Sequence, residues 1–286
     1  MKTYSSTYQK ELQQFIESAL KEDIGPGDFS ALAALDTEQE GAAQLIVKED
    51  CVLAGVELAK LIFTQYDPSL EIETFIEDGE KVSTGAIAFK VRGTTQSILA
   101  TERLVLNVMQ RMSGIATLTN ENQNLINHTK CKVLDTRKTT PNFRIAEKWA
   151  VVIGGGVNHR MGLYDMIMLK DNHIDYCGGV SAAIEKTIDF LKLKQLDLPI
   201  IVETRDLNEV KACLDYPEIH RILLDNMSTD QLREAVKLIN GKIPTEASGN
   251  ITKDTIVSIA ETGVDYVSMG SITHSAPNID LSLKAL

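Results

Sequence analysis

The stretch that decides the fold runs from Arg137 to His173 and includes most of DTRKTTPNFR (135–144) and all of GGGVNHRMGLYDMIMLKDNH (154–173). Its six Lys and Arg residues oppose three Asp and Glu residues, a balance of +3 in a chain of formal charge −11. Several of these cations directly follow an apolar run or a glycine turn. Cations at the ends of successive strands converge only if the strands lie side by side, as in a parallel α/β barrel. The stretch therefore predicts an anion site, for carboxylates and phosphates, at a barrel mouth.

Composition limits the class of protein. A chain of 286 residues with 43% hydrophobic and 24% charged residues is typical of a soluble globular protein. The net charge of −11 argues against a nucleic-acid or anionic-membrane partner, which would require a broad basic surface. The four cysteines show no C-x-x-C pair, and the start MKTYSSTYQKELQQF shows no signal-peptide core. We expect a cytoplasmic protein with reduced cysteines.

The first part of the chain predicts an α+β layer. An amphipathic helix over 11–21 is followed by four β-rich runs, with a helix between the second and the third. These runs are 42–48, 51–56, 70–76 and 86–93. A long helix over 97–118 follows, and we place the domain boundary near its C-terminal half. This predicts an N-terminal α+β sandwich domain over residues 1–112.

From Lys132 onward, short apolar runs alternate with helical segments, which is typical of a parallel sheet with crossover helices. Seven runs are strand candidates. They are 132–135, 151–153, 166–170, 199–204, 221–225, 245–248 and 266–270. This rhythm predicts a barrel domain over residues 113–274.

Two acidic residues, Glu203 and Asp225, lie near the ends of adjacent predicted strands, inside apolar segments. A carboxylate at a barrel strand end points into the mouth. Each could be a structural acid paired with a lysine. Together they suit Mg²⁺, which takes one or two carboxylates plus substrate oxygens, or the hydroxyl groups of a ribose.

Two glycine-containing turns, Ser248-Gly249-Asn250 and Met269-Gly270-Ser271, close the last two predicted strands. They could be ordinary turns. After the final strands of a barrel, however, such turns form the usual phosphate site, because glycine lets the backbone amides approach closely. His274 follows at once and could contact a phosphate or pyrophosphate.

These segments resemble the quinolinate phosphoribosyltransferase family, also called nicotinate-nucleotide pyrophosphorylases (carboxylating). The resemblance also rests on VETRDLNEV, ILLDN, EASGNIT and YVSMGSITHS, and it runs in the same order from about Ala19 to the C-terminus. It implies an incomplete seven-stranded barrel and a C-terminal tail, 275–286, that packs back on the first domain. It also implies transfer of phosphoribosyl from phosphoribosyl pyrophosphate to quinolinate with decarboxylation, in de novo NAD biosynthesis.

The resemblance further implies roles for individual residues. Lys138, Lys170, Glu203 and Asp225 are the expected catalytic residues, and the two acids are the expected Mg²⁺ ligands. The expected substrate-binding residues are Arg103, Arg137, His159, Arg160, Ser248, Gly249, Gly270 and His274. Arg103, in the Glu102-Arg103 pair, is expected to reach the active site of a neighbouring subunit. This predicts a homodimer with shared sites, with further assembly of dimers left open.

Three residues depart from the common pattern of the family: Asn142 and Asn250 where Gly is frequent, and Arg205 in place of a second Glu. Arg205 could change metal affinity or pair with an acid near the mouth. Other functions also stay open. Lys170 at a strand end suits a Schiff-base aldolase. A related pyrophosphorylase with another substrate would vary the carboxylate-binding cations, and a non-catalytic sugar-phosphate barrel would tolerate loss of Lys170 or of the acids.

Overall fold

The structure is a computed structural model that describes residues 3–286. Residues 1 and 2, with which the predicted N-terminal domain begins, lie outside it. The described chain divides into two compact units. The first comprises the chain up to Asn120, Thr139–Gly155 and Ile272–Leu286, and the second comprises Glu121–Lys138 and Gly156–Ser271. The proposed continuous domains over 1–112 and 113–274 stay a prediction.

The described residues form twelve helices and twelve strands. The helices are α1 (Tyr4–Thr7), α2 (Gln9–Ile24), α3 (Phe29–Ala34), α4 (Val56–Tyr66), α5 (Thr95–Leu125), α6 (Arg144–Ile153), α7 (Asp171–Cys177), α8 (Val180–Lys194), α9 (Leu207–Cys213), α10 (Thr229–Ile239), α11 (Ile256–Ala260) and α12 (Ser271–His274). The strands are β1 (Glu40–Val47), β2 (Cys51–Val52), β3 (Glu71–Thr74), β4 (Lys81–Val82), β5 (Ile87–Thr94), β6 (Lys132–Leu134), β7 (Ile167–Leu169), β8 (Ile200–Thr204), β9 (Ile219–Asp225), β10 (Thr245–Ser248), β11 (Tyr266–Ser268) and β12 (Leu281–Ala285).

The first unit is built on an antiparallel sheet with the strand order β12-β1-β5-β3. Every second residue of β1 from Ala43 to Val47 is fully buried, the pattern of a sheet with one face on a core. The Phe63 ring of α4 meets Phe89 of β5 edge-on, with centroids 5.9 Å apart. Strand β12 completes the sheet by pairing Leu283 with Leu45. The predicted α+β character of this region is confirmed.

The second unit is a six-stranded parallel sheet with the order β6-β11-β10-β9-β8-β7. The last strand of this unit, β11, pairs with its first strand, β6, as in a closed barrel. Val157 adds an isolated parallel bridge to Leu134 of β6. Among the described residues no pairing joins Val157 to β7, so the barrel is open there. The predicted incomplete barrel is confirmed, with six strands and one bridge in place of seven strands.

The prediction of a strand over residues 151–153 is wrong. These residues end helix α6, in which Ile145, Trp149 and Ala150 are among the buried residues at helical spacing. A short apolar run cannot be assigned to a strand or to a buried helix by its periodicity alone. Gly154 caps the helix, and a Cβ there would lie 2.5 Å from the Ala116 carbonyl oxygen. The close approach of backbone, not a strand turn, explains this glycine.

Within residues 3–286, no helix has the length and apolar character needed to cross a membrane. The four cysteines are free thiols. Burial raises the pKa of Cys51 to about 11 and the pKa values of Cys131 and Cys213 to about 12. These three thiols are therefore protonated at neutral pH and poor nucleophiles.

Candidate active site

Parallel pairing brings the carboxyl ends of β8, β9 and β10 to one edge of the second unit's sheet. Glu203 pairs with Leu223, and Asp225 pairs with Ser248. Because side chains alternate along a strand, Leu223 and Asp225 point to the same face of the sheet. Their partners on the neighbouring strands, Glu203 and Ser248, point to that face as well. The structure thus places Glu203, Asp225 and Ser248 on one face, as the sequence suggested.

Lys170 and Glu203 form a loose ion pair at this edge. Lys170 directly follows β7, and its Nζ lies 4.0 Å from Glu203 Oε2. The lysine side chain is 48% exposed, whereas that of Glu203 is 12% exposed. Burial raises the pKa of Glu203; the charge of Lys170 opposes this shift, and the charge of Asp225 adds to it. The carboxylate of Glu203 is therefore incompletely compensated and would be stabilised by another cation.

Three further cations belong to the same unit. Arg137 and Lys138 are exposed after β6, while Arg160 is buried and donates from Nη1 to the Met166 carbonyl at 3.3 Å. Burial, and then the positive charge of Arg137, lower the pKa of the Arg160 guanidinium, with Asp165 acting in the opposite direction. Two arginines that repel each other would be stabilised by an anion between them.

We use the name mouth cluster for the four cations and two acids at these strand ends. Its members are Arg137, Lys138, Arg160, Lys170, Glu203 and Asp225.

A second group of charges contains Arg221 and Glu246, which sequence reasoning missed, and His159, which it predicted as a substrate-binding residue. Arg221 Nη1 donates to Glu246 Oε2 at 2.8 Å, and His159 Nε2 lies 3.5 Å from the same oxygen. Arg221 also stacks on Tyr266, with the guanidinium carbon 4.3 Å from the ring centroid. Glu246 is fully buried. We call His159, Arg221 and Glu246 the buried triad.

The local chain fixes His159 in the triad. Its backbone N–H donates to Asp135 Oδ1 at 2.7 Å, and its Nδ1 accepts from the N–H of Arg160, also at 2.7 Å. Burial by itself raises the pKa of Glu246. The hydrogen bond between Glu246 and His159, together with the charges of His159 and Arg221, has a larger opposite effect, so the pKa of Glu246 lies below its usual range. The signal for Glu246 was present in the sequence, because it is an acid in an apolar strand like Glu203.

The two predicted phosphate turns lie in the second unit. In the first, Gly249 has φ +100° and Asn250 has φ +52°, both left-handed conformations. Gly270 follows β11, two residues after Ser268. The turns after β10 and β11 are adjacent because these two strands pair in parallel. Their backbone amides lie at the same sheet edge as the mouth cluster.

Arg103 and His274 belong to the first unit, so they are not among the residues that the second unit brings together. Arg103 is exposed on α5. His274 ends α12, and its Nδ1 lies 2.6 Å from Ser275 Oγ.

The three departures from the family pattern have structural explanations. Asn142 and Asn250 have φ +62° and +52°, and asparagine is among the few residues that tolerate the left-handed region in place of glycine. Arg205 forms ion pairs with Glu209 at 2.6 Å and with Asp175 at 2.9 Å. These pairs, which link α7 and α9, raise the pKa of Arg205 above its usual value. Arg205 thus pairs with acids on two helices.

Residues 3–286 contain few side chains that together could hold a metal ion. No group of three or more His, Cys, Asp or Glu side chains there has the arrangement of a metal site. Glu203 and Asp225 still fit Mg²⁺, because this ion keeps several waters and uses few protein carboxylates. Burial raises the pKa of Glu203 and the charge of Asp225 adds to this shift, so a cation held between the two carboxylates would stabilise their ionised forms.

Comparison with known proteins agrees with the geometry. The model of the quinolinate phosphoribosyl transferase C-terminal domain matches residues 115–284, and that of the N-terminal domain matches residues 28–113. The chloroplastic nicotinate-nucleotide pyrophosphorylase [carboxylating] of Oryza sativa subsp. japonica is 48% identical, over 96% of this chain and 77% of the relative. The mitochondrial quinolinate phosphoribosyltransferase [decarboxylating] 2b of Nicotiana tabacum is 45% identical, over 96% and 82%.

Among solved structures, the nicotinate-nucleotide pyrophosphorylase from Francisella tularensis has a TM-score of 0.90 at 37% identity and covers both chains completely. The enzyme named NadC from Streptococcus pyogenes has a TM-score of 0.89 at 36% identity, over 100% of this chain and 99% of that one. The resemblance stated from the sequence motifs is confirmed.

Proposed function

We propose that this chain, which belongs to the quinolinate phosphoribosyltransferase family, transfers phosphoribosyl from phosphoribosyl pyrophosphate to quinolinate with loss of carbon dioxide. The products are nicotinate mononucleotide, pyrophosphate and CO₂, which places the enzyme in de novo NAD biosynthesis. Beyond family membership, the supporting observation is the mouth cluster, in which Lys170 and Asp225 lie near Glu203 at parallel strand ends and Arg137 lies near Arg160 in the same unit. This arrangement suits a dicarboxylate and a polyanionic sugar phosphate bound side by side.

The arginines of the mouth cluster are the proposed site for the two carboxylates of quinolinate. Burial lowers the pKa of Arg160, and the positive charge of Arg137 lowers it further. A carboxylate between the two guanidinium groups would remove the repulsion between them and accept charge-assisted hydrogen bonds. His159 lies beside Arg160 and stays a predicted substrate contact.

Glu203 and Asp225 are the proposed anchors for Mg²⁺. When bound, the ion would supply positive charge to the pyrophosphate oxygens of the substrate. The same two carboxylates can accept hydrogen bonds from the ribose hydroxyl groups. The phosphate end would lie on the backbone amides near Ser248, Gly249 and Gly270, where glycine permits close approach.

The chemistry requires mainly positioning and electrostatic stabilisation. The pyridine nitrogen bonds to C1′ of the ribose while the bond from C1′ to the pyrophosphate oxygen breaks, and its electron pair leaves with pyrophosphate. The bond between the ring and one carboxylate then breaks, CO₂ departs, and the electron pair left on the ring carbon takes up a proton. We assign Lys138 and Lys170 to the departing pyrophosphate and to the carboxylate that is lost.

We also propose that the enzyme is a homodimer with shared active sites. The support is the position of Arg103, which is exposed on α5 and belongs to the first unit, whereas the members of the mouth cluster belong to the second. A two-fold dimer would place two such arginines symmetrically, each serving the other subunit. By the same proposal His274 contacts the pyrophosphate. A cytoplasmic location also belongs to the proposal, although several plant relatives are named mitochondrial or chloroplastic.

Subunit mixing tests the shared site. Inactive Arg103→Ala and inactive Lys170→Ala chains are mixed under conditions that exchange subunits. If Arg103 acts in the neighbouring subunit, a mixed dimer has one site with both defects and one intact site, so activity returns to about a quarter of wild type at equal mixing. If no activity returns despite demonstrated exchange, Arg103 serves its own chain or has no catalytic role.

The activity itself is tested by incubating the purified protein with quinolinate, phosphoribosyl pyrophosphate and Mg²⁺. We expect equal amounts of carbon dioxide and nicotinate mononucleotide, both dependent on all three additions. The control replaces quinolinate with pyridine, which has the ring nitrogen without a carboxylate. Absence of both products with quinolinate, from a folded dimer, would reject the proposed reaction.

A further inference from the structure

One asparagine connects the two ends of the proposed phosphoribosyl site. Asn226 directly follows Asp225 at the end of β9, and its side-chain Nδ2 donates to Asp225 Oδ2 at 2.8 Å. Its Oδ1 accepts from Asn250 Nδ2 at 3.2 Å, and its backbone N–H donates to the Ser248 carbonyl at 2.8 Å. The amide therefore contacts both the acid and the turn that follows the next strand.

Packing against Gly249 supports the same connection. A Cβ built on Gly249 would lie 2.2 Å from Asn226 Oδ1 and 2.5 Å from its Cγ. The asparagine side chain thus occupies the space beneath this glycine, and any larger residue at 249 would displace it. The glycine is needed for this contact as well as for its φ of +100°.

We propose that Asn226 is a positioning residue that holds the Asp225 carboxylate and the turn 248–250 in one fixed arrangement. The inference rests on the proposed function. In that proposal Asp225 binds the metal or the ribose of phosphoribosyl pyrophosphate, and the turn 248–250 binds its phosphate. With Asp225 Oδ2 engaged by the amide, we assign Asp225 Oδ1 to the contact with the metal or the ribose. Asn226 would then set the spacing at which the two ends of the sugar phosphate are bound.

The chemistry of the position selects asparagine. Its backbone has φ +52°, which asparagine and glycine accept more readily than other residues. The side chain must donate to a carboxylate on one side and accept from an amide on the other. Aspartate would place a second negative charge against Asp225, and glycine would remove both side-chain hydrogen bonds without backbone strain. Glycine is therefore the clean test, since alanine would combine the loss with strain.

The experiment measures both substrates separately in wild type and Asn226→Gly. The readouts are kcat, the KM for each substrate, and the Kd of phosphoribosyl pyrophosphate with Mg²⁺ by titration calorimetry. We expect the KM and Kd for phosphoribosyl pyrophosphate to rise about tenfold, the effect of one lost charge-assisted hydrogen bond. The KM for quinolinate should stay within about twofold, because Asn226 contacts none of the mouth-cluster cations in the structure.

The matched control is Asn240→Gly. Asn240 also has a left-handed backbone, φ +50°, but it caps the distant end of α10, so its replacement should change neither KM nor Kd. The proposal is overturned if Asn226→Gly leaves the Kd for phosphoribosyl pyrophosphate unchanged or weakens both substrates equally. A wild-type protein that binds phosphoribosyl pyrophosphate but yields no product rejects the proposed function, while the Kd values still decide the role of Asn226. A wild-type protein that does not bind it rejects both.

Discussion

The mouth cluster and the buried triad both contain cations and carboxylates, but the pKa of the central glutamate is shifted in opposite directions in the two groups. In the triad, Arg221 and Glu246 are 2.8 Å apart and nearly inaccessible to water, and the pKa of Glu246 is held low. In the mouth cluster, Lys170 and Glu203 are 4.0 Å apart, and the pKa of Glu203 is raised. In the triad, Arg221 and His159 offset the charge of Glu246, although Arg221 Nε and Glu246 Oε1 have no hydrogen-bond partner, whereas Glu203 in the mouth cluster is only loosely paired with Lys170.

From this difference we expect the Arg221–Glu246 pair to stabilise the fold and the mouth cluster to bind a ligand. A pKa shift that keeps a buried ion pair charged is typical of charges that stabilise the fold. A pKa shift that opposes ionisation of a solvent-accessible group at a sheet edge is typical of a ligand site. Charge reversal or removal should therefore affect stability in one region and activity in the other.

The largest effect is expected for Glu246→Gln. Removing one partner of a buried ion pair leaves Arg221 uncompensated and should lower the free energy of unfolding by about 3–5 kcal/mol. Urea denaturation followed by circular dichroism measures the change. The control is Asp230→Asn, which breaks the exposed pair with Arg233 and should cost at most about 1 kcal/mol. Equal losses for the two variants would show that the triad does not stabilise the fold.

Lys170→Ala should reduce kcat/KM about 100-fold, since a charge-assisted contact to substrate contributes about 1.5–3 kcal/mol. The control is Arg205→Ala, which removes another exposed cation that pairs with acids and should leave kcat/KM within about twofold. Borohydride added with substrate should trap no adduct. A stable adduct at Lys170 would support the aldolase alternative instead.

Nicotinate should be a poor substrate compared with quinolinate. It lacks one carboxylate, and the loss of one charge-assisted contact with Arg137 or Arg160 should weaken transition-state binding by about 1.5–3 kcal/mol. Competition between the two compounds, with product separation by chromatography, gives the ratio of kcat/KM. Similar values for both would contradict the assignment of these arginines to the second carboxylate.

The smallest effect concerns Glu203 and pH. Because burial raises the folded-state pKa of Glu203, stability falls as the pH rises above the unfolded value of about 4.5, and the loss is complete once the pH exceeds the folded-state pKa. Glu203→Gln should therefore unfold at higher urea concentration than wild type at pH 8, with the difference fading towards pH 4. A variant that is less stable at pH 8 would show that Glu203 stabilises the fold, as Glu246 does.

The strand ends of the second unit could be predicted because charged residues stand at or next to the ends of apolar runs. Lys170 follows β7, Glu203 is the last residue but one of β8, and Asp225 ends β9; parallel pairing brings such strand ends to one edge of the sheet. Residues 151–153 could not be assigned correctly, because a three-residue apolar run carries no period. Gly154, which caps α6, packs closely against Ala116, and this approach joins residues that are far apart in sequence.

Other features depend on distances that sequence patterns do not contain. Glu246 carried the same signal as Glu203, but only the coordinates show that Arg221 and His159 compensate it. The pairing of Arg205 with Asp175 and Glu209 depends on how α7 and α9 approach each other. The sequence showed which residue types were unusual, and the structure showed which partners they have.

The most direct measurement of the central claim is the thermal unfolding of wild type and Lys170→Ala with and without quinolinate. The mouth charges should be compensated only when the dicarboxylate is bound, so saturating quinolinate should stabilise wild type by about 2.7 kcal/mol at 100 times its Kd. The rise in Tm should largely disappear in Lys170→Ala at the same concentration. An unchanged Tm in wild type, or an equal rise in both proteins, would contradict the account.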